Sequence, residues 1–130
     1  MLFPLVAANP DLPVLTLACD GIGFIRASAL SAHDEKQPAH LVIEIVDGHA
    51  RLLLPAFMVP TIHSGGDQGW WPILDASATD DQITGRVRLN FIDKPTLRID
   101  RRSGAVELAG GVSVGFNGQC SKQDPTERRF

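Results

Sequence analysis

Asp47-Gly48, set between two stretches of alternating apolar residues, restricts the backbone more than any other pair in the chain. A two-residue type I′ turn needs positive φ at both central positions, and Asp-Gly is among the pairs that meet this demand. Pairing outward from the turn sets Val46 opposite His49, Ile45 opposite Ala50 and Glu44 opposite Arg51. Ile43 then faces Leu52, and Leu41 faces Leu54. Apolar residues meet apolar residues and Glu meets Arg, so turn chemistry and cross-strand pairing agree. The sequence therefore predicts a hairpin from Ala39 to Leu54.

A second hairpin is predicted from Thr96 to Ala109, with Arg101-Arg102-Ser103-Gly104 as its loop. A four-residue loop pairs Ile99 with Val106, Leu97 with Leu108 and Arg98 with Glu107. A two-residue loop would instead set Asp100 against Glu107, and like charges directly opposite repel. Ile83, Gly85, Val87, Leu89 and Phe91 alternate with polar residues, which predicts a half-buried antiparallel strand with those five facing inward. Further strands are expected at Val14–Cys19, Gly23–Ala29, Trp71–Ala76 and Val112–Gly118. Ala27 to Lys36 has room for one or two helical turns before Gln37-Pro38 ends them. Turn signals recur about every 8–12 residues, which implies an all-β antiparallel sandwich or small closed barrel of about eight or nine short, mainly hairpin-connected strands. The expected longest loop is Pro55 to Gly69.

The 130 residues fit a single domain. Residues 1–12 form an apolar arm that is either the remnant of a signal peptide or an ordinary segment packing on the domain. A net charge of −3 disfavours nucleic acid as a partner, since that binding rests on a cationic surplus. No apolar run approaches the roughly 20 residues of a transmembrane helix. Cys19 and Cys120 cannot make a C-x-x-C motif, which leaves two readings. If the first and last strands are neighbours, a disulfide could tie the chain ends together. Otherwise the two are buried free thiols.

Motifs that carry chemistry are scarce. His33, His40, His49 and His63 show no H-x-x-x-H or H-x-H spacing, and no metal site or cofactor is expected. Asp75, Ser77, Thr79 and Asp81 imitate a calcium loop, but Asp80 occupies its glycine position and Arg86 its glutamate position. No G-x-S-x-G or phosphate-binding loop occurs, and Ser64 beside His63 lacks the geometry of a nucleophile and its base. No catalytic residue is assigned on these grounds.

Two regions suit binding instead. Around His63, Gly65 and Gly66 the loop from Pro60 leads into Trp70-Trp71, and its glycines allow close backbone approach. Adjacent residues of a strand point to opposite faces, so one tryptophan should pack inward and the other meet solvent or a loop, where it could stack on a sugar ring or grip a partner; the plainer alternative is that both cap the open ends of the core. Arg86, Arg88 and Arg98 would form a basic patch if they share the outer face, suited to an anionic group on a glycan, lipid or protein. The plainer alternative is a solvated sheet face neutralised by Asp93, Asp100 and Glu107.

Several short motifs stand out: Leu17-Ala-Cys19-Asp-Gly21, Leu54-Pro55 through Met58-Val-Pro60, Ile62-His63-Ser-Gly65-Gly66 and Gly69-Trp70. Ile83-Thr-Gly85, Asn90-Phe91, Ile99-Asp100-Arg101 with Gly104, Phe116-Asn-Gly118-Gln-Cys120 and Arg129-Phe130 continue the pattern. Taken together, they resemble a family of small bacterial proteins of uncharacterised function. The resemblance implies that Cys19 and Cys120 occur as a pair and that related chains are exported, hence a periplasmic or secreted protein, with the cytoplasm as the alternative. A looser likeness in size and in the Cys-x-Gly of Cys19–Gly21 links it to periplasmic barrels that inhibit lysozyme, whose inhibitory loop motif is not present here. The expected function is a non-enzymatic binding or interaction module of the cell envelope, with a protein, glycan or small-molecule partner. The alternatives are a small barrel carrying an apolar ligand in an internal cavity, and an enzyme built around His63 with Asp67 or Asp75.

Overall fold

A computed structural model describes residues 8–25, 35–59, 68–112 and 114–123. These form one closed antiparallel barrel in which each strand pairs with the next and the last returns to the first. The strands are β1 (Leu15–Ile25), β2 (Glu35–Val46), β3 (His49–Leu53), β4 (Trp70–Ala78), β5 (Gln82–Val87), β6 (Thr96–Asp100), β7 (Ala105–Ala109) and β8 (Val114–Gln123). A 3-10 turn at Ala56–Met58 follows β3. Full closure removes the free sheet edges on which chains aggregate.

Both hairpin registers expected from sequence occur. Val46 pairs with His49 and Glu44 with Arg51, while Ile99 pairs with Val106 and Arg98 with Glu107. Asp47 and Gly48 take positive φ of 53° and 77°, as the type I′ turn requires. Alternation then sends one face of every strand inward. Leu41, Ile43, Leu52, Trp71, Leu97 and Phe116 are each at most 1% exposed and fill the axis of the barrel. The outer face carries charges such as Glu44, Arg51, Arg86, Arg98 and Glu107, the reverse of the apolar-out order of a barrel that spans a bilayer. No helix among the described residues is long and apolar enough to cross a membrane.

Four expectations need correction. Val14–Cys19 and Gly23–Ala29 are not separate strands: β1 runs unbroken through Asp20-Gly21-Ile22, paired on both sides without a register shift. Gly21 permits this because its Cα faces Gly118 so closely that a Cβ would lie 2.1 Å from Asn117 O. Residues 26–29 lie outside the described residues. Glu35 and Lys36 belong to β2 rather than to a helical turn, and Pro38 is tolerated beside them because β3 pairs with β2 only from Val42 onward. Phe91 does not face inward. β5 ends at Val87, the chain bends after it, and Phe91 is 82% exposed. Val112 likewise lies before β8 and is exposed.

Cys19 and Cys120 are directly opposed on β1 and β8 and form a disulfide, 101 residues apart in sequence. The bond crosses the seam where the barrel closes. Sequence left this pairing open because nothing local reveals that the first and last strands are neighbours.

The barrel has two unlike ends. At one lie the tight turns at 47–48, 79–81 and 101–104, together with the segment that enters β1. There Asn9 N donates to Gly48 O at 2.9 Å, Asn9 Nδ2 donates to Ala76 O at 3.1 Å, and Leu12 is buried against the core. Residues 1–7 of the expected apolar arm lie outside the described residues. At the other end lie the connections 54–69, 88–95 and 110–113, the first two longer than any at the tight-turn end. Met58 is fully buried there, and a Cβ on Gly23 of β1 would meet its Sδ at 2.7 Å.

Candidate functional site

The outer wall of β3, β4 and β5 toward the longer-loop end gathers cations and aromatic surface. Arg51 is fixed from both sides. Its Nη2 lies 2.8 Å from Glu44 Oε1, and its Cζ stands 3.9 Å from the centroid of the Trp70 ring. The ladder explains the second contact: Leu53 pairs with Trp70 and Arg51 with Pro72, so Arg51 and Trp70 are diagonal neighbours on one face. Trp71 points the other way and is 1% exposed. The expected division of the two tryptophans therefore holds, with Trp70 half-buried on the outside.

Next to this wall, β4 carries a bulge. Leu74 pairs with Arg86 and Ser77 with Thr84, so one extra residue sits on β4. Asp75 takes φ of 53°, a left-handed conformation that Asp adopts more readily than most residues. The bulge leaves Leu74, Asp75, Arg86, Arg88 and Lys94 around an open hollow of about 180 Å³. Arg86 and Arg88 are exposed, as a basic surface needs. The Arg88 guanidinium lies 5.2 Å from the centre of the Phe91 ring. Cation–π contacts at exposed sites are worth about 0.5–1 kcal/mol, enough to bias side-chain placement but not to withdraw an arginine from an anion.

The third arginine of the expected patch, Arg98, lies elsewhere, and so does Arg102. Arg98 is exposed but borders a different hollow with Asp100 and Glu107, and it pairs with Glu107 across β6 and β7. Arg102 Nε donates to Asp81 at 2.7 Å at the tight-turn end. Asp93 lies beneath the β5–β6 connection rather than on the open sheet face. It is 2% exposed, and its Oδ1 accepts a hydrogen bond from Val112 N at 2.8 Å.

His63, Gly65 and Gly66 lie outside the described residues, as do Ser64, Asp67 and His33. His40 Nδ1 lies 2.8 Å from Asp20 Oδ1 on the exposed faces of β2 and β1, and His49 is exposed beside its turn. Among the described residues no three His, Cys, Asp or Glu side chains gather as ligands for a metal ion.

Arg51 and Lys94 join the site without a sequence signal for it, and Asp75 joins it in a place apart from the calcium-loop and His63 readings. Placing Arg51 beside Trp70 requires the register of β3 on β4, and the long 54–69 connection hides it. Placing Asp75 beside Arg86 requires the bulge, which no turn residue announces. The chain matches no protein-family model, no curated protein and no solved structure.

Proposed function

We propose that this chain is a non-catalytic binding module of the cell envelope, and that it takes an anionic partner on the outer face of β3–β5. The observation that carries the reading is local cation enrichment on a chain of net charge −3: Arg86, Arg88 and Lys94 meet at one hollow, with Arg51 and Trp70 on the adjoining wall. At about 0.1 M ionic strength the Debye length is about 10 Å, so a partner in contact responds to these groups rather than to the distant negative surplus. Trp70 adds flat apolar surface on which a sugar ring or an aliphatic group can rest. The resemblance to a family of small exported bacterial proteins supports the envelope assignment. So does the Cys19–Cys120 disulfide, since such bonds persist mainly in oxidising compartments.

The test is chromatographic. At neutral pH and low salt, the oxidised chain should be retained on an immobilised polyanion such as phosphocellulose despite its net charge, and Arg86→Glu with Arg88→Glu should abolish retention. Passage of the wild-type chain straight through the column would sink the proposal. For the compartment, intact mass of the native protein with and without reductant should show the oxidised pair, and free thiols would remove the envelope assignment.

A further inference from the structure

Beside the basic hollow, the β5–β6 connection presents a feature that a folded core does not require. Phe91 is 82% exposed and Ile92 is 76% exposed, consecutive at the tip of the loop. Val112, 54% exposed, projects from the neighbouring β7–β8 connection. Single exposed apolar residues are ordinary on protein surfaces, whereas a clustered apolar tip is a mark of contact.

The tip is held firmly. Asn90 Oδ1 accepts hydrogen bonds from Ile92 N at 2.9 Å and from Asp93 N at 2.8 Å. Leu89 N donates to Asp93 O at 2.9 Å, and Val87 N donates to Pro95 O at 2.9 Å below it. Asp93, buried beneath, ties this loop to the next through Val112 N. The loop cannot fold Phe91 and Ile92 back into the core without breaking this set. The same bonds satisfy backbone donors at the tip, which lowers the cost of taking it out of water, where an unpaired N–H is expensive.

Cations flank the tip. Arg88 reaches the Phe91 ring, Lys94 follows the loop, and Arg86 lies behind it at the hollow. Asp75 is the acidic group at that hollow, so three cations stand against one anion. A convex apolar tip ringed by cations fits a deformable surface that is negative outside and apolar beneath. Aromatic residues favour the headgroup region, and basic residues are drawn to anionic headgroups.

We infer that the β5–β6 loop is a membrane-contact element: Phe91 and Ile92 enter the interface of a bilayer containing anionic lipid, while Arg88, Lys94 and Arg86 engage its headgroups. This rests on the reading of the β3–β5 wall as an anion-binding face and names the partner. A protein groove lined with acidic residues is the competing occupant. It would have to present a pocket shaped to this tip, which a fluid interface need not do.

The experiment is co-sedimentation of the oxidised full chain with phosphatidylcholine vesicles and with vesicles containing a minority of phosphatidylglycerol. Binding is expected only to the second set. Phe91→Ser with Ile92→Ser should weaken it roughly tenfold or more, in line with the loss of two buried apolar side chains. The same variant should keep its fold, with a urea midpoint lowered by no more than the worth of the Arg88–Phe91 contact, and its retention on phosphocellulose. Lys94→Gln should weaken vesicle binding about fivefold, the share of one cation near an anionic surface. Arg86→Glu with Arg88→Glu should lose both vesicles and column. A wild-type chain that stays on the column but ignores anionic vesicles overturns the lipid proposal and leaves the anion-binding face standing. A wild-type chain that binds neither column nor vesicles means the face itself was misread. Unchanged vesicle binding by the serine variant would falsify insertion of the tip.

Discussion

The tight-turn end and the longer-loop end of the barrel use hydrogen bonds for different purposes. At the tight-turn end, polar side chains tie one turn to the next. Arg101 N donates to Asp81 O at 2.8 Å, Arg101 Nη1 donates to Thr79 O at 2.6 Å, and Arg102 reaches Asp81. Asn9 stitches the entering segment to Gly48 and Ala76. Leu12 then caps the core beneath them. At the opposite end, Asn90 and Asp93 bind the backbone of their own and a neighbouring loop, and the loop they shape displays Phe91 and Ile92 to solvent. One end spends its polar contacts on closing the barrel, and the other on holding apolar side chains out of it.

The largest test of this contrast is the seam that both ends share. Cys19→Ser with Cys120→Ser releases the constraint on a loop spanning 101 residues. In the chain-entropy model a loop of about 100 residues corresponds to about 4.7 kcal/mol at 25 °C. Urea unfolding of the oxidised wild type, the reduced wild type and the double serine variant should place the last two together, well below the first. A smaller loss would mean that strand pairing alone closes the barrel.

The next compares one apolar residue from each end. Leu12→Ala removes a buried side chain and should cost about 2–3 kcal/mol, the lower part of the range for buried leucines. Phe91→Ala removes a larger side chain yet should cost no more than about 1 kcal/mol, because the ring is already in water and what it loses is the contact with Arg88. Both are read as shifts in the urea midpoint. Equal losses would erase the distinction between the two ends.

The smallest concerns Asp100 in the 101–104 turn. Hydrogen bonds from the backbone N–H of Ser103, and then of Arg102, hold its carboxyl below the usual value of 3.8. A carboxylate whose pKa is depressed by folding stabilises the fold above its unfolded pKa and loses that contribution as pH falls through the folded one. Asp100→Asn should therefore melt slightly below wild type at neutral pH. The gap should close as pH drops from about 3.8 through the lower folded value. A gap that stays constant with pH would mean that the amide oxygen serves the turn as well as the carboxylate does.

How much of this was legible from the chain depended on the span of the interactions. The two hairpins could be read to the residue, because turn chemistry and opposed side chains lie within a few positions of each other. The outward tryptophan and the exposed Arg86 of β5 followed from strand alternation alone. Closure of β1 on β8 could not be derived, since it joins residues a hundred positions apart, and so barrel and sandwich stayed equivalent. The expectation of separate strands at Val14–Cys19 and Gly23–Ala29 misses the role of Gly21, close approach to Gly118, which exists only once β8 is in place. Phe91 continued an alternating pattern whose strand had already ended, and the Asn90 turn that ends it competes with that pattern. Arg51 beside Trp70 and Asp75 beside Arg86 depended on a register and a bulge beyond the reach of local signals.

The Cys19–Cys120 bond also makes the stretch between those residues a covalent ring that holds most of the barrel. A protease that nicks any one loop inside this ring does not divide the molecule. The two pieces stay joined through the sulfurs, and the strands on either side of the cut keep their partners. Only a second nick, or a reductant, sets them apart. In a compartment exposed to peptidases, a chain with this connectivity outlasts its first cut.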